Sequence, residues 1–349
     1  MSNIVIIGAG TMGAAFSISC LDNKHEVTIL GTVLEDQFIE DIKNNNNFHE
    51  GLQKKIPKNV SLEKFKKIEK VLNLKIDLIV IAVASKGIEW VAKELSIKYK
   101  GIKIPPLLML TKGLSIYNNK YELLVDKMLR ILEDKNIKDV NISAIGGPCL
   151  AKGLANKVHT SVILANKDIN LAKNTARLIN NSYYHVSVSN DLIGVEVCAA
   201  IKNIFSMAVG AAEGLCSKII DNELKKENYL NSASSLINQS IHEMEIFVEY
   251  LKGKKETVQG LAGLGDLYVS TVGGRNSKMG FYIGSGLKFS EVKKNKMKNI
   301  TVEGAELVFE IGSKIKKDFT VKQLPLMFSM IEAIINDEKI NFNWELLNK

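Results

Sequence analysis

The sequence predicts an α/β domain followed by an all-α domain. Its 349 residues are more than one hydrophobic core usually accommodates, so two domains are expected. Short runs rich in Val, Ile and Leu alternate with amphipathic stretches up to about residue 188, and only helical patterns continue beyond about residue 190. We therefore expect residues 1–189 to form the first domain and residues 190–349 the second.

The apolar runs of the first domain are predicted strands of a parallel sheet. Continuous rather than alternating apolar runs are typical of strands that helices cover on both faces. The interval 35–75 is rich in Lys, Asn and Glu, with a weak strand signal near Val60, and is predicted as a helix followed by a surface excursion. The predicted strands are Asn3–Ile7, Glu26–Leu30, Asp77–Val83, Pro106–Leu110, Asn141–Ile145, Ser161–Ala165 and Tyr184–Ser187.

The second domain is predicted from helical patterns alone. Pro325 fits the first turn of the last helix, where its missing N–H group is harmless. The segment 253–275 is rich in turn residues and is predicted to connect two helices. The predicted helices are Leu192–Leu215, Leu230–Lys252, Lys278–Leu287, Val302–Ile315 and Leu324–Ile335.

A glycine-rich turn directly follows the first predicted strand. The motif GAGTMG, residues 8–13, separates the strand NIVII from the helical pattern AAFSISCL, as in the GxGxxG motif of dinucleotide-binding domains. Gly8 permits the tight turn, Gly10 lets a pyrophosphate approach the backbone, and Gly13 lets helix and strand pack closely. The helix N-terminus then supplies N–H groups to the anion. The first domain is therefore predicted to be Rossmann-type and to bind NAD(P).

The end of the second strand bears on which dinucleotide is bound. A carboxylate at this tip typically binds the ribose 2′-hydroxyl group of NAD. Here the tip is Leu30-Gly31-Thr32, and the first acids, Glu35 and Asp36, are expected on the following helix. Gly31 and Thr32 leave room for a 2′-phosphate group, although no arginine stands ready to bind it. The sequence thus favours NADP(H).

A single lysine interrupts the most apolar predicted helix. From residue 198 to residue 212 the chain reads CAAIKNIFSMAVGAA, where Lys202 is the only ionisable group apart from Cys198. A helix that is apolar on every face is buried, and a buried ammonium group needs a carboxylate partner, an anionic ligand or a lowered pKa. These conditions suit a lysine to donate a proton. The alternative is a structural Lys–carboxylate pair at a domain junction.

The segment GLAGLGDLYVSTVGGRN supplies groups that complement Lys202. Asp266 lies in a small, apolar, glycine-rich turn and is a natural counter-charge for the lysine. Arg275 and Asn276 follow two glycines, and a guanidinium group beside an amide is suited to bind a phosphate. A surface arginine in a loop is the alternative for Arg275. Glu303, which precedes a helix, is either a cofactor contact or a first-turn capping acid.

Two further candidates follow predicted strands of the first domain. Lys112, in PPLLMLTKGL, lies just beyond a carboxyl end, at the edge where open α/β sheets bind ligands. An exposed lysine in a turn is the alternative. The GGPC turn, residues 146–149, follows the strand NISAI, and its backbone N–H groups are placed to meet a substrate.

Composition argues against several other classes of function. The formal net charge is +8, but the lysines are scattered among acids and asparagines, so no nucleic-acid site is expected. The four cysteines show no CxxC spacing and the five histidines are dispersed, so neither a metal nor a disulfide is expected. No apolar run approaches the roughly 18 residues of a membrane span, and no signal-peptide pattern is present. We expect a cytoplasmic protein without a membrane span.

Together and in this order, the motifs resemble the soluble NAD(P)-dependent glycerol-3-phosphate dehydrogenase family. The matching stretches are GAGTMG, TKGL, GGPCLAKGLA, GVEVCAAIKNIFSMAVG, GLAGLGDL, GGRN and VEG, which span nearly the whole chain. The resemblance implies reversible reduction of dihydroxyacetone phosphate to sn-glycerol 3-phosphate by NAD(P)H, supplying glycerol phosphate for phospholipid synthesis. Because helical second domains often support dimers, a homodimer is the expected assembly.

The resemblance also implies a role for each matched residue. Lys202 would be the general acid–base at the carbonyl oxygen, facing the cleft between the two domains, with Asp266 beside it. The implied substrate contacts are Lys112, Gly147, Cys149, Asp266, Arg275 and Asn276. The implied cofactor contacts are Gly8, Gly10, Thr11, Met12, Gly13, Thr32, Lys112, Ala151, Arg275, Thr301 and Glu303.

Some positions depart from the family pattern. Cys149 stands where a Ser or Thr commonly follows Gly-Pro, so a hydroxyl donor to the substrate is lost. Gly274 replaces a Ser before Arg-Asn, and Thr32 replaces a His or Arg-like residue at the adenosine end. The loop after Asp266 is shorter than usual. These departures concern the finer substrate contacts and the choice between NAD and NADP.

Two other functions stay open at this point. A β-hydroxyacid or 6-phosphogluconate-type dehydrogenase shares the Rossmann-plus-helices plan and a catalytic lysine, but the GLAGLGDL and GGRN stretches argue against it. A non-catalytic redox sensor would need only the nucleotide site. The joint presence of Lys202, Asp266 and Arg275 favours an enzyme.

Overall fold

A computed structural model of the chain describes residues 1–217 and 228–347. It divides into two compact units. The first unit contains Met1–Lys112 and Leu123–Leu192, and the second contains Gly113–Glu122 and Ile193–Lys349. An α/β unit and a helical unit are present, so the predicted fold class is confirmed.

The first unit is built on an eight-stranded sheet. In chain order the strands of the described residues are β1 (Asn3–Ile7), β2 (Glu26–Leu30), β3 (Phe48–His49), β4 (Lys54–Lys55), β5 (Val60–Glu63), β6 (Leu78–Ile81), β7 (Leu107–Met109), β8 (Leu114–Tyr117), β9 (Lys120–Leu123), β10 (Ile142–Gly146), β11 (Thr160–Ala165) and β12 (Tyr184–Ser189). The order across the large sheet is β12-β11-β10-β7-β6-β1-β2-β5, and the pairs β3-β4 and β8-β9 form two-stranded sheets.

Helices cover both faces of this sheet, as predicted. Ile4 and Ile6 pack in one core cluster with Ala14 of the first helix, while Val5, whose side chain points to the opposite face, is equally buried. The helices of the first unit are Thr11–Asp22, Asp36–Asn44, Ile68–Leu72, Ile88–Lys98, Leu124–Glu133, Ala151–Ala155 and Ile169–Ile179. Every predicted strand is present, with small changes at its ends.

The prediction of a fully parallel sheet is wrong at one pair. Strands β10 and β11 are antiparallel, whereas the other neighbours in the large sheet are parallel. The connection between them contains only the five-residue helix Ala151–Ala155. Such a helix is about 7.5 Å long, shorter than the roughly 16 Å of a five-residue strand. The chain therefore does not return to the opposite edge of the sheet before β11 begins.

The interval 35–75 is more ordered than a surface excursion. It contains the predicted helix, here Asp36–Asn44, then the β3–β4 hairpin, the edge strand β5 and the short helix Ile68–Leu72. Single apolar residues among the charged ones, such as Leu52 and Ile56, are buried in the main core cluster. They are too few among the surrounding polar residues to make a periodic pattern, which is why the sequence did not reveal them.

The second unit is helical but includes a hairpin that the sequence prediction assigned to the first domain. Strands β8 and β9 pair through a turn at Asn118 and Asn119, whose φ angles of 47° and 59° are those of a type I′ turn. The centroid of the Tyr121 ring lies 5.1 Å from that of the Phe247 ring. Lys314 Nζ lies over the Tyr121 ring, 5.1 Å from its centroid, in a cation–π contact. These contacts attach the hairpin to the helices of the second unit.

The segment 253–275, predicted as turns, consists largely of short helices. It contains Lys255–Gln259, a π-helical turn at Leu261–Gly265, and Asp266–Thr271. A Cβ atom at Gly263 would lie 2.0 Å from the Val258 carbonyl oxygen, so this glycine serves close packing of successive turns. The described helices of the second unit are Leu192–Cys216, Leu230–Tyr250, Lys255–Gln259, Asp266–Thr271, Arg275–Gly284, Phe289–Asn295, Glu303–Asp318 and Pro325–Ile335.

The helix Leu192–Cys216 is buried, as its sequence predicts. By length and composition it is apolar enough to cross a membrane, contrary to the expectation that no such run exists. However, 89% of its most apolar 18-residue stretch is buried inside the fold. This burial identifies a core helix, and no other helix among the described residues passes the same test.

This core helix packs backbone to backbone against the helix Arg275–Gly284. A Cβ atom at Gly280 would lie 2.0 Å from the Met207 carbonyl oxygen, and one at Gly284 would lie 2.2 Å from the Ala211 carbonyl oxygen. From the other side, a Cβ atom at Gly210 would lie 2.3 Å from the Ser277 carbonyl oxygen. The two helices can approach this closely only because glycines line the contact.

We expect Gly280→Ala to lower the free energy of unfolding by about 1–3 kcal/mol, because the added methyl group overpacks a backbone contact. Gly153→Ala is the matched control: it also replaces a helical glycine, but the nearest atom to its Cβ position is 3.9 Å away. The control should be neutral or stabilising by up to about 1 kcal/mol. Urea unfolding of both variants measures the difference, and equal stabilities would contradict the packing argument.

A buried carboxyl group caps the helix Pro325–Ile335. Glu243 accepts hydrogen bonds from the backbone N–H groups of Leu326 (2.7 Å) and Met327 (2.8 Å) and from the Gln239 side chain (2.9 Å). Burial raises the pKa of Glu243 from 4.5 to about 7, and these three hydrogen bonds oppose the shift only in part. Folding therefore favours the protonated carboxyl group near neutral pH.

This raised pKa predicts a pH-dependent loss of stability. The contribution of Glu243 is fully present below about pH 4.5 and is lost as the pH rises through about 7. Relative to Glu243→Gln, which cannot ionise, the wild-type free energy of unfolding should fall by about 2–3 kcal/mol between about pH 5 and about pH 8. The exposed Glu249→Gln on the same helix is the control. A constant difference between wild type and Glu243→Gln across this range would refute the prediction.

Candidate active site

The glycine turn after β1 has the geometry that its motif predicts. Gly8 has a φ angle of +114°, and a Cβ atom there would lie 2.6 Å from the Ala82 carbonyl oxygen. A Cβ atom at Gly13 would lie 2.3 Å from the Gly8 carbonyl oxygen, so this glycine lets the helix pack against the strand. A Cβ atom at Gly10 would have no neighbouring atom within 4 Å. The turn thus leaves open space at the glycine where a pyrophosphate approaches the backbone.

The helix Thr11–Asp22 begins at this open side. Gly10 is its N-cap residue, and none of the described side chains forms a capping hydrogen bond there. Thr11 and Met12, in its first turn, are half-buried. A helix N-terminus of this kind attracts anions through its N–H groups and its dipole. The residues present therefore fit the pyrophosphate of a nicotinamide dinucleotide.

Two side chains from the interval 35–75 hold the residue between the first two glycines. The Glu35 carboxylate accepts the Ala9 N–H group (3.1 Å) and, with its other oxygen, the Thr32 N–H group (2.8 Å). The buried His49 ring bonds the Ala9 carbonyl oxygen through Nε2 (3.0 Å). Its Nδ1 accepts the Leu52 N–H group (3.1 Å), so Nε2 carries the proton and donates.

Neither contact was predicted from the sequence. Glu35 was expected to lie on the helix after β2, but it is the N-cap residue and its side chain reaches back to the strand tip. The only sequence signal was the presence of an acid within five residues of that tip.

The other first-unit candidates follow parallel neighbouring strands. Strands β1, β6, β7 and β10 are parallel, so the glycine turn, Lys112 and Gly147 all follow carboxyl ends at one edge of the sheet. This is the edge at which open α/β sheets bind ligands. Lys112 and Cys149 are half-buried, and Ala151 begins a short helix just beyond.

The Gly147 backbone requires glycine. Its φ angle is +118°, and a Cβ atom there would lie 3.1 Å from the Val162 Cα atom. The GGPC segment is therefore a tight turn against β11, as the sequence predicts.

In the second unit, Lys202 and Asp266 form a buried ion pair. Lys202 Nζ lies 2.6 Å from Asp266 Oδ1, and the two side chains are 8% and 2% exposed. Burial removes water from both charges, and each offsets that cost for the other. Asp266 is the first residue of the helix Asp266–Thr271, directly after the π-helical turn. The predicted counter-charge is therefore in place, although on a helix rather than in a turn.

Ser270 completes this cluster and was not predicted. Its hydroxyl group accepts a hydrogen bond from Lys202 Nζ and donates to the Asp266 carbonyl oxygen (2.7 Å). Ser206, one turn after Lys202, donates to the Ser270 carbonyl oxygen (3.1 Å). The signal in the sequence was the spacing of Asp266 and Ser270, which places them on one face of a helix.

Arg275 and Glu303 form an ion pair at the starts of two helices. Arg275 begins the helix Arg275–Gly284 and Glu303 begins the helix Glu303–Asp318. Their side chains are 57% and 40% exposed, so the pair is accessible to a ligand. Thr301, two residues before Glu303, is exposed. Arg275 is thus paired with a carboxylate and begins a helix rather than lying in a loop, while its side chain stays exposed as in the surface alternative.

Asn276 is more structural than predicted. Its amide group donates to the Asn203 side chain (3.0 Å), and its carbonyl oxygen accepts the Gly304 N–H group (2.9 Å). A Cβ atom at Gly304 would lie 2.5 Å from the Asn203 carbonyl oxygen, so this glycine allows the close approach. Asn203 directly follows Lys202, so this network fixes the helix at the position of the lysine. The second amide hydrogen of Asn276 is the one that a ligand could use.

Among the described residues, no group of three or more His, Cys, Asp and Glu side chains is placed to hold a metal ion. The four cysteines are free thiols, with Cys20 and Cys198 buried.

Comparisons with known proteins agree with this geometry. The family models described as the NAD-dependent glycerol-3-phosphate dehydrogenase N-terminus and C-terminus match residues 3–172 and 191–342. The chain belongs to this family. It is 30% identical to the glycerol-3-phosphate dehydrogenase (NAD(P)+) of Francisella philomiragia, over 95% of this chain and 92% of that protein.

Two further glycerol-3-phosphate dehydrogenases cover nearly the whole chain. The NADP(+)-dependent enzyme of Archaeoglobus fulgidus is 28% identical over 97% of this chain and 98% of its own length. The crystal structure of the Coxiella burnetii enzyme has a TM-score of 0.80, with 24% identity over 97% of this chain and 96% of that one. At that identity the structural match shows the shared fold.

As a member of the glycerol-3-phosphate dehydrogenase family, the protein is an NAD(P)-dependent oxidoreductase that interconverts dihydroxyacetone phosphate and sn-glycerol 3-phosphate. The family assignment argues against the two alternatives that the sequence left open, a β-hydroxyacid or 6-phosphogluconate-type dehydrogenase and a non-catalytic redox sensor.

Proposed function

We propose that Lys202 is the acid–base residue of this reaction. In the direction of reduction its ammonium group gives a proton to the carbonyl oxygen of dihydroxyacetone phosphate, and in the direction of oxidation its amine takes that proton back. The nicotinamide dinucleotide, when bound, supplies or accepts the hydride. The observation that carries the proposal is the buried pair of Lys202 Nζ and Asp266 Oδ1, 2.6 Å apart.

The neighbours of Lys202 support this role. Asp266 favours the ammonium form before transfer, and the Ser270 hydroxyl fixes the direction of Nζ. Asp266 and Ser270 lie on one short helix, so together they hold the lysine in one orientation. A general acid must be oriented in this way to be effective. We therefore propose that Asp266 positions Lys202, favours its ammonium form and also contacts the substrate.

We propose further that Arg275 binds the substrate phosphate group. Glu303 holds one edge of its guanidinium group, and the exposed remainder can donate to phosphate oxygens. The second amide hydrogen of Asn276 adds a donor. The remaining proposed substrate contacts are Lys112, Gly147 and Cys149.

The remaining assignments concern the cofactor. The proposed contacts in the first unit are Gly8, Gly10, Thr11, Met12, Gly13, Thr32, Lys112 and Ala151, and those in the second unit are Arg275, Thr301 and Glu303. Of these, the glycine turn has the strongest support, since Gly10 leaves open space at the helix N-terminus. Gly31 and Thr32 by themselves suggest NADP(H), and membership of the family does not test that preference.

Four wider proposals accompany the reaction. We infer a cytoplasmic location and a role in supplying glycerol phosphate for phospholipid synthesis, in line with the family. A homodimer, and a functional division at residues 189 and 190, also remain proposals. In the structure the segment Gly113–Glu122 already belongs to the second unit, and the chain finally leaves the first unit between Leu192 and Ile193.

We expect Lys202→Ala to lower kcat for dihydroxyacetone phosphate by at least about 100-fold while NADH binding survives, because the proton donor is lost. Turnover is followed with NADH and NADPH in parallel, and nucleotide binding by fluorescence titration. Small primary amines should restore part of the activity if the lysine acts chemically. A variant that keeps more than about a tenth of wild-type activity would refute the role.

A second variant separates chemistry from folding. Lys202→Ala leaves Asp266 buried without its cation, which costs about 3–5 kcal/mol. The double variant Lys202→Met with Asp266→Asn removes both charges and should fold, yet it should remain inactive. Activity in the folded double variant would exclude Lys202 as the proton donor.

For Arg275→Ala we expect the KM for dihydroxyacetone phosphate to rise about 10- to 100-fold, since charge-assisted hydrogen bonds to phosphate are lost. Lys278→Ala, an exposed cation one turn along the same helix, is the control and should leave the KM within about twofold. If both variants show the same KM, the phosphate is bound elsewhere.

A further inference from the structure

The Glu35 side chain lies at the point where the glycine turn meets the tip of β2. Its Oε1 atom is 3.1 Å from the Ala9 nitrogen and its Oε2 atom is 2.8 Å from the Thr32 nitrogen. Val33 and Leu34, which lie between Thr32 and Glu35 in the chain, are exposed, whereas Glu35 is half-buried. The loop therefore turns its apolar residues outward and its one carboxylate inward, toward the nucleotide-binding turn.

The local backbone explains this orientation. The Glu35 N–H group donates to the Thr32 carbonyl oxygen (3.0 Å), which closes a turn directly before the helix Asp36–Asn44. A Cβ atom at Gly31 would lie 2.5 Å from Ile39 Cδ1, so the loop begins in close contact with the helix. The Gly8 N–H group also donates to the Leu30 carbonyl oxygen (2.9 Å), which keeps the strand tip beside the glycine turn.

This is the place where the adenosine ribose binds in a Rossmann-type domain. The ribose of a dinucleotide lies at the tip of the second strand, with its 2′ substituent toward the residues that follow it. Each Glu35 oxygen accepts one backbone N–H group and keeps a further lone pair. A ribose 2′-hydroxyl group can therefore donate to this carboxylate without disturbing the existing hydrogen bonds.

A 2′-phosphate group meets the opposite situation. Residues 31–42 contain four acids, at positions 35, 36, 40 and 41, and no Lys or Arg. A phosphate at this position faces the Glu35 carboxylate, and the two backbone N–H groups that would otherwise attract it already bind Glu35. Glu40 is paired with Lys64 and Asp36 accepts the Phe65 N–H group, so the negative charge beside Gly31 and Thr32 is that of Glu35.

We propose that Glu35 selects NAD(H) over NADP(H) in this chain, by accepting the ribose 2′-hydroxyl group and repelling a 2′-phosphate group. This reverses the preference drawn from the strand tip alone, which placed Glu35 on the helix and out of reach. Family membership leaves the choice of dinucleotide open. The proposal rests on the nucleotide site of the first unit and is independent of the role of Lys202.

The test is Glu35→Gln, which keeps an oxygen acceptor and removes the charge. Dissociation constants of the full chain for NADH and NADPH are measured by fluorescence titration. Wild type should bind NADH at least about tenfold more tightly than NADPH. In Glu35→Gln this ratio should narrow about tenfold, chiefly through tighter binding of NADPH. Raising the salt concentration should narrow the wild-type ratio as well, since salt screens the repulsion.

Asp36→Asn is the matched control for net charge. Asp36 is adjacent, but its Oδ1 atom accepts the Phe65 N–H group (2.6 Å) and does not serve the glycine turn. In Asp36→Asn the ratio of the dissociation constants for NADPH and NADH should stay within about twofold of the wild-type ratio. If wild type prefers NADPH, or if Glu35→Gln weakens both dinucleotides equally, Glu35 only supports the loop and the proposal fails. Because binding is measured directly, a failure of Lys202 as proton donor would appear in turnover and leave this result unchanged.

Discussion

The buried ion pair of Lys202 and Asp266 is the interaction on which the helical unit is organised. An ammonium group on a helix that is apolar on every face needs compensation, and here a carboxylate within hydrogen-bond distance provides it. The π-helical turn at Leu261–Gly265 delivers that carboxylate at the first residue of the next helix, and Ser270 on the same helix provides the second contact. The same pair that makes the lysine compatible with the core also fixes the orientation of its Nζ atom, as the proposed proton transfer requires.

Close backbone packing determines where this lysine lies. Glycines on the core helix and on the helix Arg275–Gly284 bring the two backbones into contact, and Gly304 does the same beside Asn203. Asn276 then links Asn203 to the start of the helix Glu303–Asp318. The proposed phosphate-binding arginine and the proposed proton donor are therefore held on helices whose spacing is fixed by main-chain atoms, which cannot adjust as side chains do.

In the first unit, the glycine turn is supported by residues remote from its motif. His49 fixes the Ala9 carbonyl oxygen and Glu35 fixes the Ala9 N–H group, so both polar groups of that peptide position are held by side chains. A loop that must present its N–H groups to a pyrophosphate gains from such preorganisation, because less of the binding free energy is spent on ordering it. The Glu35 carboxylate that holds this turn is also the group that we propose distinguishes the 2′-hydroxyl group of NAD(H) from the 2′-phosphate group of NADP(H).

The sequence by itself determined the elements whose signal is local. Continuous apolar runs identified the strands, the GAGTMG motif identified the dinucleotide turn, and a lone lysine in an apolar helix required a partner such as Asp266. Tertiary structure alone decided the antiparallel pairing of β11, the attachment of the β8–β9 hairpin to the helical unit, and the contacts of Glu35, His49 and Ser270. The physical reason is range: periodicity reports which face of an element is buried, whereas a hydrogen bond between distant segments depends on how the whole chain folds back.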